Sequence, residues 1–125
     1  MADLKNIALT LDAERMADSL AENLPVTDRM DLARLGFAYA LKNELPVERG
    51  VDFGPRRGSN YSVAGIDPGG RMAAVVAVFY RDQDVVKEPY RVIETLMNKG
   101  LLLLGQHLSE GLIGNVSDVM SDEGP

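Results

Sequence analysis

The ten residues from Leu32 to Leu41, LARLGFAYAL, are apolar so continuously that a helix built from them has no obvious face to give to water. Such a helix must be covered on all sides. A chain of 125 residues has few elements with which to do this, so the simplest supplier of the missing surface is a second copy. A homo-oligomer, dimer or higher, is the first expectation. Gly36 lies inside the run. A glycine in a helix interior costs about 1 kcal/mol against alanine, which predicts that another backbone comes close there.

The length suits one domain with a real core, and the absence of cysteine removes a disulfide framework, thiolate metal sites and thiol nucleophiles together. No stretch approaches the roughly 18 apolar residues that span a bilayer. The start MADLKNIAL lacks the basic residues and long apolar run of a signal peptide. A soluble, cytoplasmic protein with no membrane partner is expected. The formal charge is −6, from 13 Lys and Arg against 19 Asp and Glu, and only residues 51–80 escape the acidic excess. Nonspecific affinity for nucleic acid comes largely from Lys and Arg at phosphates, so a nucleic-acid site on this chain has to be local.

From Asn6 to Leu11 the chain alternates, with Ile7, Leu9 and Leu11 on one side and Asn6, Ala8 and Thr10 on the other, the period of a strand with one buried face. Asp12 reads as an N-cap, and from Ala13 the period turns helical, with Met16, Ala17, Leu20, Ala21 and Leu24 on one face. Pro25 stops that helix. Thr27 reads as the cap of the second helix, with Asp28 and Asp31 in its first turn and Lys42 and Asn43 near its last carbonyls.

Residues 44–62 form a long connection in which Arg56 and Arg57 stand side by side. The segment from Tyr61 to Ile66, the turn signal Asp67-Pro68-Gly69-Gly70 and the Val-rich run from Met72 to Tyr80 read as a β-hairpin. A buried helix for MAAVVAVFY is the alternative, which so short a run leaves open. Pro89 suits the first turn of a last helix, whose Ile93, Leu96, Met97, Gly100, Leu101, Leu104 and Leu108 fall on one stripe. Gly100 and Gly105 within it imply close packing or a kink. The tail from about Asn115, with Asp118, Asp122 and Glu123, reads as acidic and disordered. The expected fold class is α+β: a strand-helix-helix unit over 1–45, a loop, β-hairpin and long closing helix over 46–114, and the tail over 115–125.

Residues 6–43 thus run strand, short capped helix, tight break and second, more apolar helix. In that order and at those lengths the stretch resembles the ribbon-helix-helix fold of the MetJ and Arc repressors. The resemblance implies that two chains pair their strands into a ribbon that enters the major groove, while the second helices pack across the dimer. It would turn Asn6, Ala8 and Thr10 toward the bases, and the backbone amides near Thr27 and Asp28 toward phosphate. The stretch LTLDAERMADSLAENLPVTDRMDLARLGFAYALKN is also similar to the N-terminal part of DndE, the small accessory subunit of DNA sulfur-modification systems. That likeness implies an oligomer that binds DNA, including nicked DNA, through basic residues.

The candidate DNA contacts are therefore Lys5, Asn6, Thr10, Arg56 and Arg57. Arg56 and Arg57, followed by Gly58, Ser59 and Asn60, could clamp phosphate or simply make the loop soluble. GPRRGSN has no Walker lysine followed by Ser or Thr, so it is not a P-loop, and GIDPGG lacks the dinucleotide spacing. His107 is the single histidine, and one ligand does not make a metal site. No serine sits in a G-x-S-x-G elbow. The leading expectation is a non-enzymatic, oligomeric DNA-binding or DNA-associated accessory or regulatory protein with no metal, cofactor or catalytic residue. The alternative is a structural adaptor that assembles a protein complex without touching nucleic acid.

Overall fold

The computed structural model describes residues 3–23, 25, 28–47, 56–80 and 87–111. Among them the order is β1 (Asn6–Ala8), α1 (Leu11–Asn23), α2 (Arg29–Lys42), β2 (Asn60–Ser62), α3 (Val63–Ile66), α4 (Arg71–Phe79) and α5 (Pro89–Ser109). The α+β class expected from the sequence is present. The expected positions Leu24 and Thr27, and the acidic tail, lie outside the described residues.

The core is built where α2 lies along α5, with α1 across α5 on one side. Much of the cover that α2 needs therefore comes from its own chain. The close backbone approach expected at Gly36 is present, and the backbone belongs to α5. A Cβ placed on Gly100 would lie 1.7 Å from the Gly36 carbonyl oxygen, and one on Gly36 would lie 3.0 Å from the Met97 carbonyl oxygen. The two glycines let the helices touch backbone to backbone. Gly105 does the same service for α1, since a Cβ there would sit 1.8 Å from Met16 Sδ. The α5 helix runs unbroken through both of its glycines, so close packing, not a kink, is what they serve. Ile93, Leu96, Met97, Leu101 and Leu104 are buried on the expected stripe.

The N-terminal boundaries differ from the sequence reading. The strand ends at Ala8, and Leu11 starts α1 with 42% of its surface exposed. Thr10, not Asp12, caps α1: its Oγ1 accepts from Ala13 N at 3.1 Å. Threonine turned inward thus gives up its place on an outer strand face to satisfy a helix amide. Asp28 caps α2 by accepting from Met30 N at 2.8 Å, one residue after the expected Thr27. Asn43, at the other end, donates from Nδ2 to Tyr39 O at 2.9 Å, as its place in the sequence suggested.

The expected β-hairpin over residues 61–80 is absent: Arg71–Phe79 forms a helix, as in the alternative reading, but one that buries Val76 alone where a buried helix was the alternative. β2 pairs instead with β1, antiparallel, with Asn6 opposite Ser62, Ile7 opposite Tyr61 and Ala8 opposite Asn60. The turn at Asp67-Pro68-Gly69-Gly70 is real, with Gly69 at φ 88° and Gly70 at φ 71°, but it joins two helices. Asp67 decides this. Its carboxylate accepts from Met72 N at 2.9 Å and from Ala73 N at 3.2 Å, so the first amides of α4 are satisfied as a helix needs and a strand does not.

Candidate functional site

Of the sequence-derived DNA contacts, Lys5, Asn6, Arg56 and Arg57 belong to the β1–β2 ribbon or the segments leading into it, while Thr10 lies between β1 and α1. Strand pairing puts Asn6, Ala8, Asn60 and Ser62 on one face and Ile7 with Tyr61 on the other. Ile7 is fully buried, so the first face is the outer one. Asn6, Asn60 and Ser62 are exposed on it, and Lys5 and Arg57 are exposed at its two ends. Gly58 brings Arg57 there: its N–H donates to Leu9 O at 2.8 Å, and a Cβ would press to 2.9 Å on that same oxygen.

Two of the expected contacts do not present themselves this way. Thr10 is 4% exposed and lies beyond the end of β1, and Ala8, although on the face of Asn6 by register, is covered to 7% exposure. The reason is α5. Glu94 Oε2 accepts from Ala8 N at 3.1 Å, Asn98 Oδ1 accepts from Thr10 N at 2.8 Å, and Asn98 Nδ2 donates to Ala8 O at 3.2 Å. Two helix side chains thereby stand in for a third strand along the second edge of β1. Arg56 turns to the same place, its Nε 3.3 Å from Glu94 Oε1, both side chains mostly buried. It braces the ribbon, while its neighbour Arg57 faces water. Below Arg57, Glu14 Oε1 accepts from Ser59 N at 2.9 Å and from the Ser59 hydroxyl, fixing the strand entry to α1.

The second conspicuous surface is α4. Its sequence RMAAVVAVF carries no acidic residue, yet only Val76 is fully buried, while Val78 is 63% and Phe79 60% exposed, beside exposed Ala74 and Ala77. The helix hangs from a polar corner. Asp67, 5% exposed, also accepts from the Tyr90 hydroxyl at 2.8 Å, and Asp3 accepts from Tyr90 N at 2.7 Å and Arg91 N at 3.2 Å, capping α5. Arg34 donates to Ile66 O at 2.9 Å and Gly65 O at 3.1 Å, closing the end of α3. Burial first, then the bond and charge of Asp67, push the Tyr90 phenol up to about 12. Burial likewise raises Tyr80, whose hydroxyl donates to Leu45 O at 2.7 Å. It raises Tyr61 as well, whose buried oxygen has no hydrogen-bond partner among the described residues.

His107 meets the Tyr39 hydroxyl through Nδ1, the rings edge to face with centroids 5.6 Å apart. It stands 13 residues along α5 from Glu94, the partner of Arg56. At about 1.5 Å per residue that is roughly 20 Å, so the arginines and the histidine share no pocket. A groove lined by Asp18, Ala21, Glu22 and Arg29 is open to water and crossed by the Asp18–Arg29 ion pair at 2.8 Å. Among the described residues no group of three or more His, Asp or Glu side chains gathers as a metal site would require. No helix among them is long and apolar enough to cross a membrane.

Sequence reasoning missed Asp3, Asp67, Tyr90, Glu94 and Asn98 as structural groups. The signal for Asn98 was its place on the buried stripe, between Met97 and Leu101. A polar side chain there has to find partners in the core. Asp67 and Tyr90 carry no such mark: their mutual bond spans 23 residues, and Asp67 caps α4 from inside a turn signal that suits a hairpin equally well. No protein-family model, curated protein or solved structure matches the chain.

Proposed function

We propose that this protein is a non-enzymatic, DNA-associated accessory protein that meets nucleic acid through the outer face of the β1–β2 ribbon. The observation that supports this reading is a two-stranded ribbon with exposed Asn6 and Asn60 on its polar face and exposed Lys5 and Arg57 at its ends. Asparagine has the donor and acceptor pair that suits a base edge, and the two cations suit flanking phosphates. Arg56 belongs to the brace beneath, not to the contact. The test is fluorescence anisotropy of labelled intact and nicked duplexes across a salt series. With two phosphate contacts, log affinity should fall against log salt with a slope of about −2. Lys5→Ala/Arg57→Ala should flatten that slope, whereas Arg56→Ala should leave it in place. No saturable binding at low salt would sink the reading.

A second reading, the structural adaptor, is favoured by the exposed apolar face of α4, and its occupant is a second copy of this chain. Exposed or half-exposed carboxylates stud α1 and α2, at Asp12, Asp18, Glu22 and Asp31, and flank α5 at Glu88 and Glu110. Two copies of net charge −6 therefore meet with least repulsion at α4, which has none. One nine-residue helix offers much less than the roughly 800 Å² per partner of a standard interface, so this contact alone gives weak association. Sedimentation velocity of the wild type against Val78→Ser/Phe79→Ser tests it. Equal monomer fractions at every concentration would remove α4 from the interface.

A further inference from the structure

The same helix supports a conclusion that concerns how the chain moves and rests on neither functional reading. We propose that α4 is a clasped helix: it opens as a unit from the folded body while the α2–α5 core stays intact, and Asp67 is the clasp.

Little apolar surface holds α4 down. Val76 is its one fully buried side chain, with Met72 and Ala73 partly buried against the core, and its most apolar end, Val78 and Phe79, faces water. Helices gain their stability in proteins chiefly from packing, and a nine-residue helix released from its neighbours is too short to persist. Local free energies of opening are lowest where buried contacts are fewest. Beyond that small apolar contact, hydrogen bonds hold it at its two ends. At the start the residue in the N-cap position is Gly70, which has no side chain, and the capping work passes to Asp67 three residues earlier. At the end the Tyr80 hydroxyl reaches Leu45 O.

The joint is built to swing. Gly69 and Gly70 take left-handed φ values, and a Cβ on either would meet nothing within 4 Å. No side chain at the two glycines locks the turn, and the hydrogen bond that joins the start of α4 to α5 among the described residues runs through Asp67 to the Tyr90 hydroxyl. One carboxylate accepts three hydrogen bonds from two elements, so a single event at that side chain releases the corner. By contrast, α2 cannot leave α5 without breaking the Gly36–Gly100 contact and the core around it.

Native-state hydrogen exchange by mass spectrometry on the full chain, at low and high protein concentration, is the test. The amides of α4 should exchange faster than those in the middle of α2 and α5, by at least about a hundredfold, and with little dependence on denaturant, as a sub-global opening requires. Asp67→Ala should accelerate α4 by a further five- to tenfold, the size of a lost cap, and leave the middle of α2 and α5 within about twofold. Tyr80→Phe, which removes the bond at the other end, gives the same selective acceleration and serves if Asp67→Ala fails to fold. Exchange of α4 only together with α2 and α5, or equal acceleration of all three helices by either variant, would overturn the proposal. At low concentration, where self-association is least, protection of α4 equal to that in the middle of α2 and α5 would overturn it as well.

Discussion

Helices α2 and α4 are both rich in apolar residues, yet α2 buries Leu32, Ala33, Gly36, Phe37, Tyr39 and Ala40 while α4 buries only Val76. Apolar content does not separate them. What does is a matching surface. α2 carries a glycine where α5 carries another, so the two backbones come together and the side chains around them interlock. α4 has no such partner among the described residues, and its ends are held by polar groups instead. A helix is fixed in a core by the fit of its surface to another, and merely tethered when hydrogen bonds do the holding.

The largest effect that would break this contrast is at Gly100. Adding one methyl by Gly100→Ala drives a carbon into the Gly36 carbonyl and should destabilise the protein by about 3 kcal/mol or more, since backbone cannot step aside as a side chain can. Urea unfolding measures it, and a loss below about 1 kcal/mol would mean the helices separate cheaply. Next comes Asn98→Ala, which leaves the Thr10 amide and the Ala8 carbonyl buried without partners and should cost about 2–3 kcal/mol in the same assay.

Gly69→Ala sharpens the comparison from the other side. The added methyl meets nothing, so only the left-handed backbone resists it, at about 1 kcal/mol. Two glycine-to-alanine changes of identical chemistry should thus differ severalfold in cost. Val78→Ser/Phe79→Ser should change stability by less than about 0.5 kcal/mol per site, as exposed positions do, and a larger loss would reveal packing on that face.

The last test has no effect at neutral pH. The Tyr90 phenol is raised from 10 to about 12, so its protonated form is the one the fold favours. Its contribution is complete below pH 10 and is lost as pH rises through about 12. Tyrosinate absorbance should show a titration step near pH 12 that disappears in Tyr90→Phe. Ionisation there frees the start of α4, whereas the glycine contact contains no titrating group.

Much of the candidate site was legible only in part. The alternation over residues 6–11 located the strand and Ile7 as its inner residue, and Lys5, Asn6 and Arg57 are exposed where an outer surface was expected. Thr10 and Arg56 were misplaced for a common reason. A polar residue in a sequence pattern looks available to solvent, but whether it is depends on what lies over it, here Asn98 and Glu94, about ninety and forty residues away along the chain. The hairpin was misread because valine-rich runs suit strands, and nothing local announced that Asp67 caps a helix beginning at Arg71.

By itself the sequence determined what depends on short range: the periods of α1 and α5, the continuous apolar run of α2, the stop at Pro25, the start at Pro89 and the close approach at Gly36. Neighbouring residues and their steric limits are enough for these. Only the tertiary structure decided which strand pairs with β1, that α5 is the backbone lying against Gly36, and that most of α4 is left in water. Those outcomes turn on contacts between residues far apart in the chain, whose energies no local pattern contains.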